Sequence, residues 1–209
     1  MKILVACEYS GRVRQALRKN GHEAWSCDLR LSEDDSPYHI QVDVRQLLSD
    51  GWDAMIAHPY CTFNTLAGIR WMYHPEDTHL PAEQRRRHPQ YPNRMEDFLD
   101  GVEFFNTLKN APIPKIALEN SQPHGLAMQH IGRYDQIVQP WMFGEPYTKG
   151  AALWLKGLPK LEPTHTKEDV GQIIPACHHM RPGPERERER GAGLISQSLM
   201  QWQINGSLH

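Results

Sequence analysis

Short apolar runs alternate with stretches of helical periodicity through the first two thirds of the chain. Lys2-Ile3-Leu4-Val5-Ala6-Cys7 predicts a buried strand. Arg12 to Lys19 predicts a helix, with Val13, Ala16 and Leu17 on one face and Gly21 near its stop. Glu23 to Cys27 reads as a second strand ending at Asp28, and Ile40 to Asp43 as a short alternating third. Trp52 to Ala57 is a fourth, running straight into His58-Pro59-Tyr60-Cys61, after which a helix candidate begins near Phe63. Tyr73 to Pro92 is polar and rich in proline. Met95 to Lys109 carries the strongest helical pattern, with Phe98, Leu99, Val102, Phe105 and Leu108 spaced for one face. Lys115 to Leu118 predicts a fifth strand that delivers Glu119 and Asn120 at its end; Tyr134 to Gln139 and Ala151 to Leu155 suit two more.

Strands alternating with helices predict an α/β protein with a mostly parallel, doubly wound sheet, and such sheets bind ligands outside the carboxyl ends of their strands. Polar residues collect at those ends here: Glu8, Ser10, Asp28, Asp43, Cys61 and Glu119. The main domain is expected to span residues 1–163. Residues 164–209 follow as a short region packed on it, with Thr164 to Gly191 polar and irregular and Leu194 to Ile204 a closing helix. Glu185 to Arg190 alternates in charge and reads as a solvated, self-neutralising segment.

Composition adjusts this picture in four ways. A chain of 209 residues with 39% hydrophobic residues can bury a core in one domain. Ile3 to Ala6 is the only apolar run near the start, too short for a signal peptide or a membrane span. The four cysteines have no paired spacing, which fits free thiols in a cytoplasmic protein. The net charge of −2 means that any nucleic-acid contact must come from local basic patches. Arg85-Arg86-Arg87-His88 is such a patch, readable as a phosphate clamp or as a solvated loop. Cys177-His178-His179 with His165 fits no structural zinc spacing, so no metal is expected.

Two residues carry candidate chemistry. Cys61 lies just past a buried strand in a Pro-Tyr-Cys-Thr turn, where it is either a nucleophile facing the ligand crevice or a small buried hydrophobe. Glu119 ends another strand and faces the same crevice. A carboxylate placed there can hold or share a proton, or else serve as a helix cap or a ribose ligand.

The order of these motifs resembles that of the C5-cytosine DNA methyltransferases, in particular short phage members without a large target-recognition domain. His58-Pro59-Tyr60-Cys61 is similar to that family's Pro-Pro-Cys motif, and Leu118-Glu119-Asn120 to its Glu-Asn motif. Cys7-Glu8-Tyr9-Ser10-Gly11 is similar to its cofactor loop. The likeness runs over residues 1 to 163. It implies a Rossmann-like class I methyltransferase fold that binds S-adenosylmethionine. Cys61 would be the nucleophile toward cytosine C6, with Glu119, beside Asn120, activating the base at N3. Glu8, Tyr9, Ser10, Gly11, Asp28, Asp43, His58 and Pro59 fall on cofactor-binding positions, and Arg85, Arg86 and Arg87 on a loop that closes over substrate phosphate. Partners are DNA or a cytidine nucleotide, with no membrane; a homodimer or a partner subunit stays open. The sequence departs from the family in three places. Tyr60 replaces the second proline, Gly11 alone remains of the glycine-rich loop, and Ser121 follows Glu-Asn. About 28 residues, Thr164 to Gly191, stand where a recognition domain would lie, too few to read a sequence in the major groove. A silent protein that binds the cofactor or nucleic acid is the rival from another class.

Overall fold

The computed structural model describes residues 1–175. The expected closing helix, the Glu185–Arg190 run and Cys177-His178-His179 lie outside the described residues. The chain forms β1 (Lys2–Ala6), α1 (Arg12–Lys19), β2 (Glu23–Asp28), β3 (His39–Gln41), β4 (Ala54–Ala57), α2 (Leu66–Ile69) and α3 (Arg94–Lys109). β5 (Lys115–Ser121), α4 (Gly125–Ile131), β6 (Gln136–Val138), β7 (Tyr147–Thr148), β8 (Ala151–Lys156), α5 (Lys167–Val170) and β9 (Ile174–Pro175) follow. Seven strands make one sheet in the order β3-β2-β1-β4-β5-β8-β6. The pairs from β3 to β5 are parallel, and β8 runs antiparallel to both β5 and β6. This is the Rossmann-like, doubly wound α/β fold that the alternation of runs predicts.

Both faces of the sheet are covered, which is why its central strands read as unbroken apolar runs. Ile3 and Val5 of β1 pack with Val13 and Leu17 of α1 and with Phe143, while Leu4 and Ala6 pack with Phe98 and Phe105 of α3 and Ile131 of α4. The two clusters take alternate residues of one strand, as the period of two requires. In α3 the buried positions are Phe98, Gly101, Val102, Phe105 and Leu108, whereas Leu99 is 46% exposed. Leu99 lies about 100° round the helix from Phe98, off the face that Gly101 completes. Gly101 lets Tyr60 come close: a Cβ there would sit 3.3 Å from the tyrosine ring.

The sequence did not announce α4. Its N-cap is His124, whose Nδ1 accepts from the Ala127 N–H at 3.0 Å, so the usual Ser, Thr, Asp or Asn signal is missing. The candidate helix after Phe63 is a single turn at Leu66–Ile69. Residues 73–92 hold two 3-10 turns, Pro75–His79 and Ala82–Gln84, stitched by bridges between Tyr73 and Arg87 and between His88 and Tyr91. Thr164 to Gly191 was expected to be irregular, yet its described part contains α5, with a Thr166/Asp169 capping box, and β9, which pairs with β7. No helix among the described residues is long and apolar enough to cross a membrane.

Candidate active site

The site begins with a register. β4 and β5 pair Ala57 with Leu118 as the last rung of their ladder, so the next residues, His58 and Glu119, leave it side by side. His58 Nδ1 and Glu119 Oε2 are 3.4 Å apart. The His58 backbone N–H continues onto Ala6 O at 3.0 Å, which holds the start of the His-Pro-Tyr-Cys turn against β1 as well. Asn120 Nδ2 donates to Pro59 O at 3.1 Å, tying the Glu-Asn pair to the turn that carries Cys61. Glu119 and Asn120 lie within β5, which runs on to Ser121, rather than just past its end.

The far side of the turn is held by two further segments, α3 and the residues that lead into α4. Arg94, at the start of α3, donates to Thr62 O at 2.7 Å, and its guanidinium lies 4.4 Å from the centre of the Phe63 ring. His124 Nε2 meets Phe63 O at 3.1 Å, and its backbone N–H donates to Asn64 O at 3.0 Å. Thr65 bridges to Pro123. Tyr60 stacks on Phe104 of α3 with centroids 5.5 Å apart and rings nearly coplanar in orientation, at 9°. None of Arg94, Phe104 and His124 carried a motif signal, because Arg94 and His124 hold the backbone of Cys61's turn and Phe104 acts through the ring of Tyr60.

A cleft of about 630 Å³ opens at the carboxyl ends of β1 to β4, with Cys7, Asp28, Asp43, His58, Tyr60 and Phe104 among its walls. That volume suits a nucleotide-sized ligand. Asp28 accepts from the Arg30 N–H at 2.9 Å. Asp43 caps a 3-10 turn through the Arg45 N–H and is gripped by the Arg45 guanidinium, whose hydrogen bonds hold its carboxyl below the usual carboxylate range. His58 Nε2 is buried without a hydrogen-bond partner, an acceptor or donor set against the cleft wall. Tyr9 also faces the cleft, with the Arg30 guanidinium 5.0 Å from its ring centre.

The expected cofactor loop holds α1 in place. Glu8 is buried; its Oε1 accepts from Ser10 Oγ at 3.0 Å and from the Val13 N–H at 2.9 Å, and its Oε2 has no partner. Gly11 is the N-cap in a left-handed conformation with φ 72°, and a Cβ there would run into the Arg14 guanidinium. Cys7 also adopts a left-handed backbone, with φ 59°, at the point where β1 turns into the cleft.

Of the three cysteines within the described residues, two are held as thiols. Burial, aided by Asp28, Cys27 and Asp43, pushes the Cys7 thiol far above its ordinary range; burial likewise pushes Cys27 up to about 11, despite a hydrogen bond to Val42 O. Cys61 is the half-buried cysteine on the turn between β4 and α2.

The basic patch is largely engaged within the protein. Arg86 makes a bidentate pair with the buried carboxylate of Asp77 and also reaches Glu76, and those hydrogen bonds drive Asp77 well below the carboxylate range. Arg85 donates to Leu80 O and Thr78 O, and Arg87 to Pro92 O with Glu96 as its ion-pair partner. His165 packs on Gly144.

No protein-family profile and no curated protein matches this chain. Solved structures with a similar chain course include a prophage-encoded protein of E. coli described as a DNA modification methyltransferase. It is 12% identical, with a TM-score of 0.45, and the alignment covers 98% of this chain and 69% of that one. The Entamoeba histolytica methyltransferase EhMeth is 10% identical at a TM-score of 0.48, over 88% of this chain and 61% of that one. The S. pombe Dnmt2 methyltransferase is 12% identical at a TM-score of 0.41, over 73% and 48%. The chain thus spans between 48% and 69% of the length of these structures, and at such scores the likenesses carry no weight in assigning its chemistry.

Proposed function

We propose that this protein transfers a methyl group from S-adenosylmethionine to C5 of cytosine in DNA, with Cys61 as nucleophile and Glu119 as the group that activates the base. The observation that carries this reading is the Asn120–Pro59 hydrogen bond together with the His58–Glu119 contact. They unite the two motif segments, 61 residues apart in sequence, beside a nucleotide-sized cleft.

S-adenosylmethionine would supply an electrophilic methyl group. The residues around the cleft fit it: Asp28 and Asp43 present carboxylates at strand ends, Tyr60 and Phe104 give an aromatic wall, and His58 Nε2 offers an unpaired polar atom. Cys61 adds as thiolate to cytosine C6 while Glu119 gives a proton to N3, so that C5 gains electron density. Once C5 has taken the methyl group and a base has removed the C5 proton, the C6–Sγ bond breaks to release Cys61 as thiolate, N3 returns its proton to Glu119, and the aromatic ring is restored. His58 orients the Glu119 carboxyl and stands as its nearest proton partner. If the cytosine sits in a polymer, it must first leave its stack.

The test uses labelled S-adenosylmethionine with duplex DNA, single-stranded DNA and dCMP as parallel acceptors. Cys61→Ala should lower transfer to C5 by about a thousandfold or more, and Glu119→Gln by about a hundredfold. Full C5 methylation by Cys61→Ala would overturn the reading. Cofactor binding with no transfer to any acceptor would favour a silent binding protein instead.

A further inference from the structure

A second cleft, of about 430 Å³, is lined by Arg70, Trp71, Pro75, His88, Pro89 and Gln90, apart from the residues of the methyl-transfer site. Its rings form a cluster. Trp71 lies edge-on to His88 at 5.2 Å and to Tyr91 at 5.4 Å, and Tyr91 is 46% exposed. His88 is buried, with its Nδ1 accepting from the Gln90 N–H at 3.2 Å, so it fixes the floor. Arg70 is exposed, its guanidinium 4.8 Å from the Trp71 ring centre, and it has no carboxylate partner among the described residues.

Residues 70–94 carry five arginines against three carboxylates, whereas the whole chain has a net charge of −2. Arg85, Arg86, Arg87 and Arg94 are engaged within the protein, which leaves Arg70 as the cation this lobe offers to a phosphate. The lobe is built onto the nucleophile's turn. Gly68 packs so closely that a Cβ would lie 2.6 Å from Thr62 O, and Arg94 of the same lobe donates to that same oxygen. Aromatic rings beside an unpaired cation are the chemistry that holds an unstacked base with its phosphate, tolerant of sequence.

We propose that the cleft beside Trp71 is a stacking site for an unpaired base that flanks the target cytosine, with Arg70 on the adjacent phosphate. The substrate is then a polynucleotide strand rather than a free nucleotide. This deepens the methyl-transfer reading and rests on it for the identity of the target base. It also answers how a protein of slightly acidic balance holds its substrate: by a base-stacking contact next to the reacting turn.

The experiment is an anisotropy titration of a labelled single-stranded oligodeoxynucleotide of about a dozen bases at several salt concentrations. It uses the full chain and its Arg70→Gln, Trp71→Ala and Trp71→Phe variants, with calorimetric S-adenosylmethionine binding as the check on folding. Trp71→Ala should weaken strand binding about tenfold or more, and Trp71→Phe should recover most of that loss. Arg70→Gln should lower the slope of log K against log salt by about 0.7. Because Arg70 is exposed, its variant decides the matter should Trp71→Ala fail to fold. Strand binding unchanged in every folded variant would overturn the proposal, as would methylation of dCMP by a wild-type protein that binds no strand. Tight, Trp71-dependent strand binding without methylation of any cytosine would uphold the stacking site and remove the C5 chemistry.

Discussion

Asn120 donates its side-chain N–H to the carbonyl oxygen of Pro59 at 3.1 Å, fastening the residue after Glu119 to the residue two before Cys61. Asn120 is buried, so its removal strands a carbonyl away from water at a cost of about 1–3 kcal/mol. The turn would also lose its register against β5, and misplacement of a reacting group by about 1 Å costs on the order of a hundredfold in rate. Asn120→Ala should therefore show a modest fall in thermal midpoint and a far larger fall in kcat. Stability lost with turnover intact would show that the bond braces the fold without positioning the nucleophile.

His124 makes the same turn sensitive to acid. Its Nδ1 accepts from the Ala127 N–H and its Nε2–H donates to Phe63 O, an arrangement open only to the neutral ring. Burial holds its pKa below the ordinary histidine value, against the hydrogen bond to Phe63, which works the other way. With the folded value below the unfolded one, the contribution is complete above about pH 6.5 and is lost as pH falls through the folded value. Thermal midpoints of wild type and His124→Gln, followed from pH 8 to pH 5, should converge toward acid. A constant difference across that range would exclude His124 as the titrating group.

Cys7 tests whether backbone or packing rules the loop after β1. A left-handed φ of 59° costs a non-glycine residue about 1–3 kcal/mol. Cys7→Gly should match or exceed wild-type stability in urea, whereas the branched Cys7→Val should lose about 2 kcal/mol or more. The reverse order would mean that side-chain packing decides this position. Cofactor binding should survive in the glycine variant.

Arg14 and Asp34 anchor α1 to the loop after β2. Arg14 is 1% exposed and also donates to Ser26 Oγ at 2.6 Å. Burial works against ionisation of Asp34, but hydrogen bonds from Arg14, Ser32 and Gln15 outweigh it and hold the carboxyl well below the usual range. The stabilisation is thus complete above about pH 4 and fades as pH drops toward the folded value. Asp34→Asn should cost about 3 kcal/mol near neutrality, since it leaves a buried guanidinium without its counter-charge. Denaturation curves of the two proteins should draw together in strong acid and stay parallel from pH 5 to 8.

The parallel half of the sheet was legible because buried strands leave apolar runs: the predicted Arg12–Lys19 helix matches α1 end to end, and β1, β2 and β5 begin where predicted. The direction of β8 was not, since an apolar run such as Ala151–Leu155 reads the same whichever way it pairs. β3 is shorter than the Ile40–Asp43 run, and Trp52 precedes β4, with its indole N–H donating to Leu47 O. Glu119 could be picked out by its place at a strand end, and His58, Pro59 and Asn120 through the motifs that their segments resemble. Their contacts could not, because they depend on the β4–β5 register and on a histidine cap that no sequence pattern advertises. The arginine patch shows the opposite limit: a run of charge tells nothing of the carboxylates that the fold will bring to it.

Tyr60 stacks on Phe104 as part of the cleft wall and is joined by one peptide bond to Cys61. A ring shared by two neighbourhoods makes them a single thermodynamic unit. Whatever occupies the cleft and shifts Tyr60 must also alter how the turn receives a base, and the base must change the cleft's affinity by the same factor. On the proposed function, this ring is where the occupant of the cleft and the base at the turn feel each other.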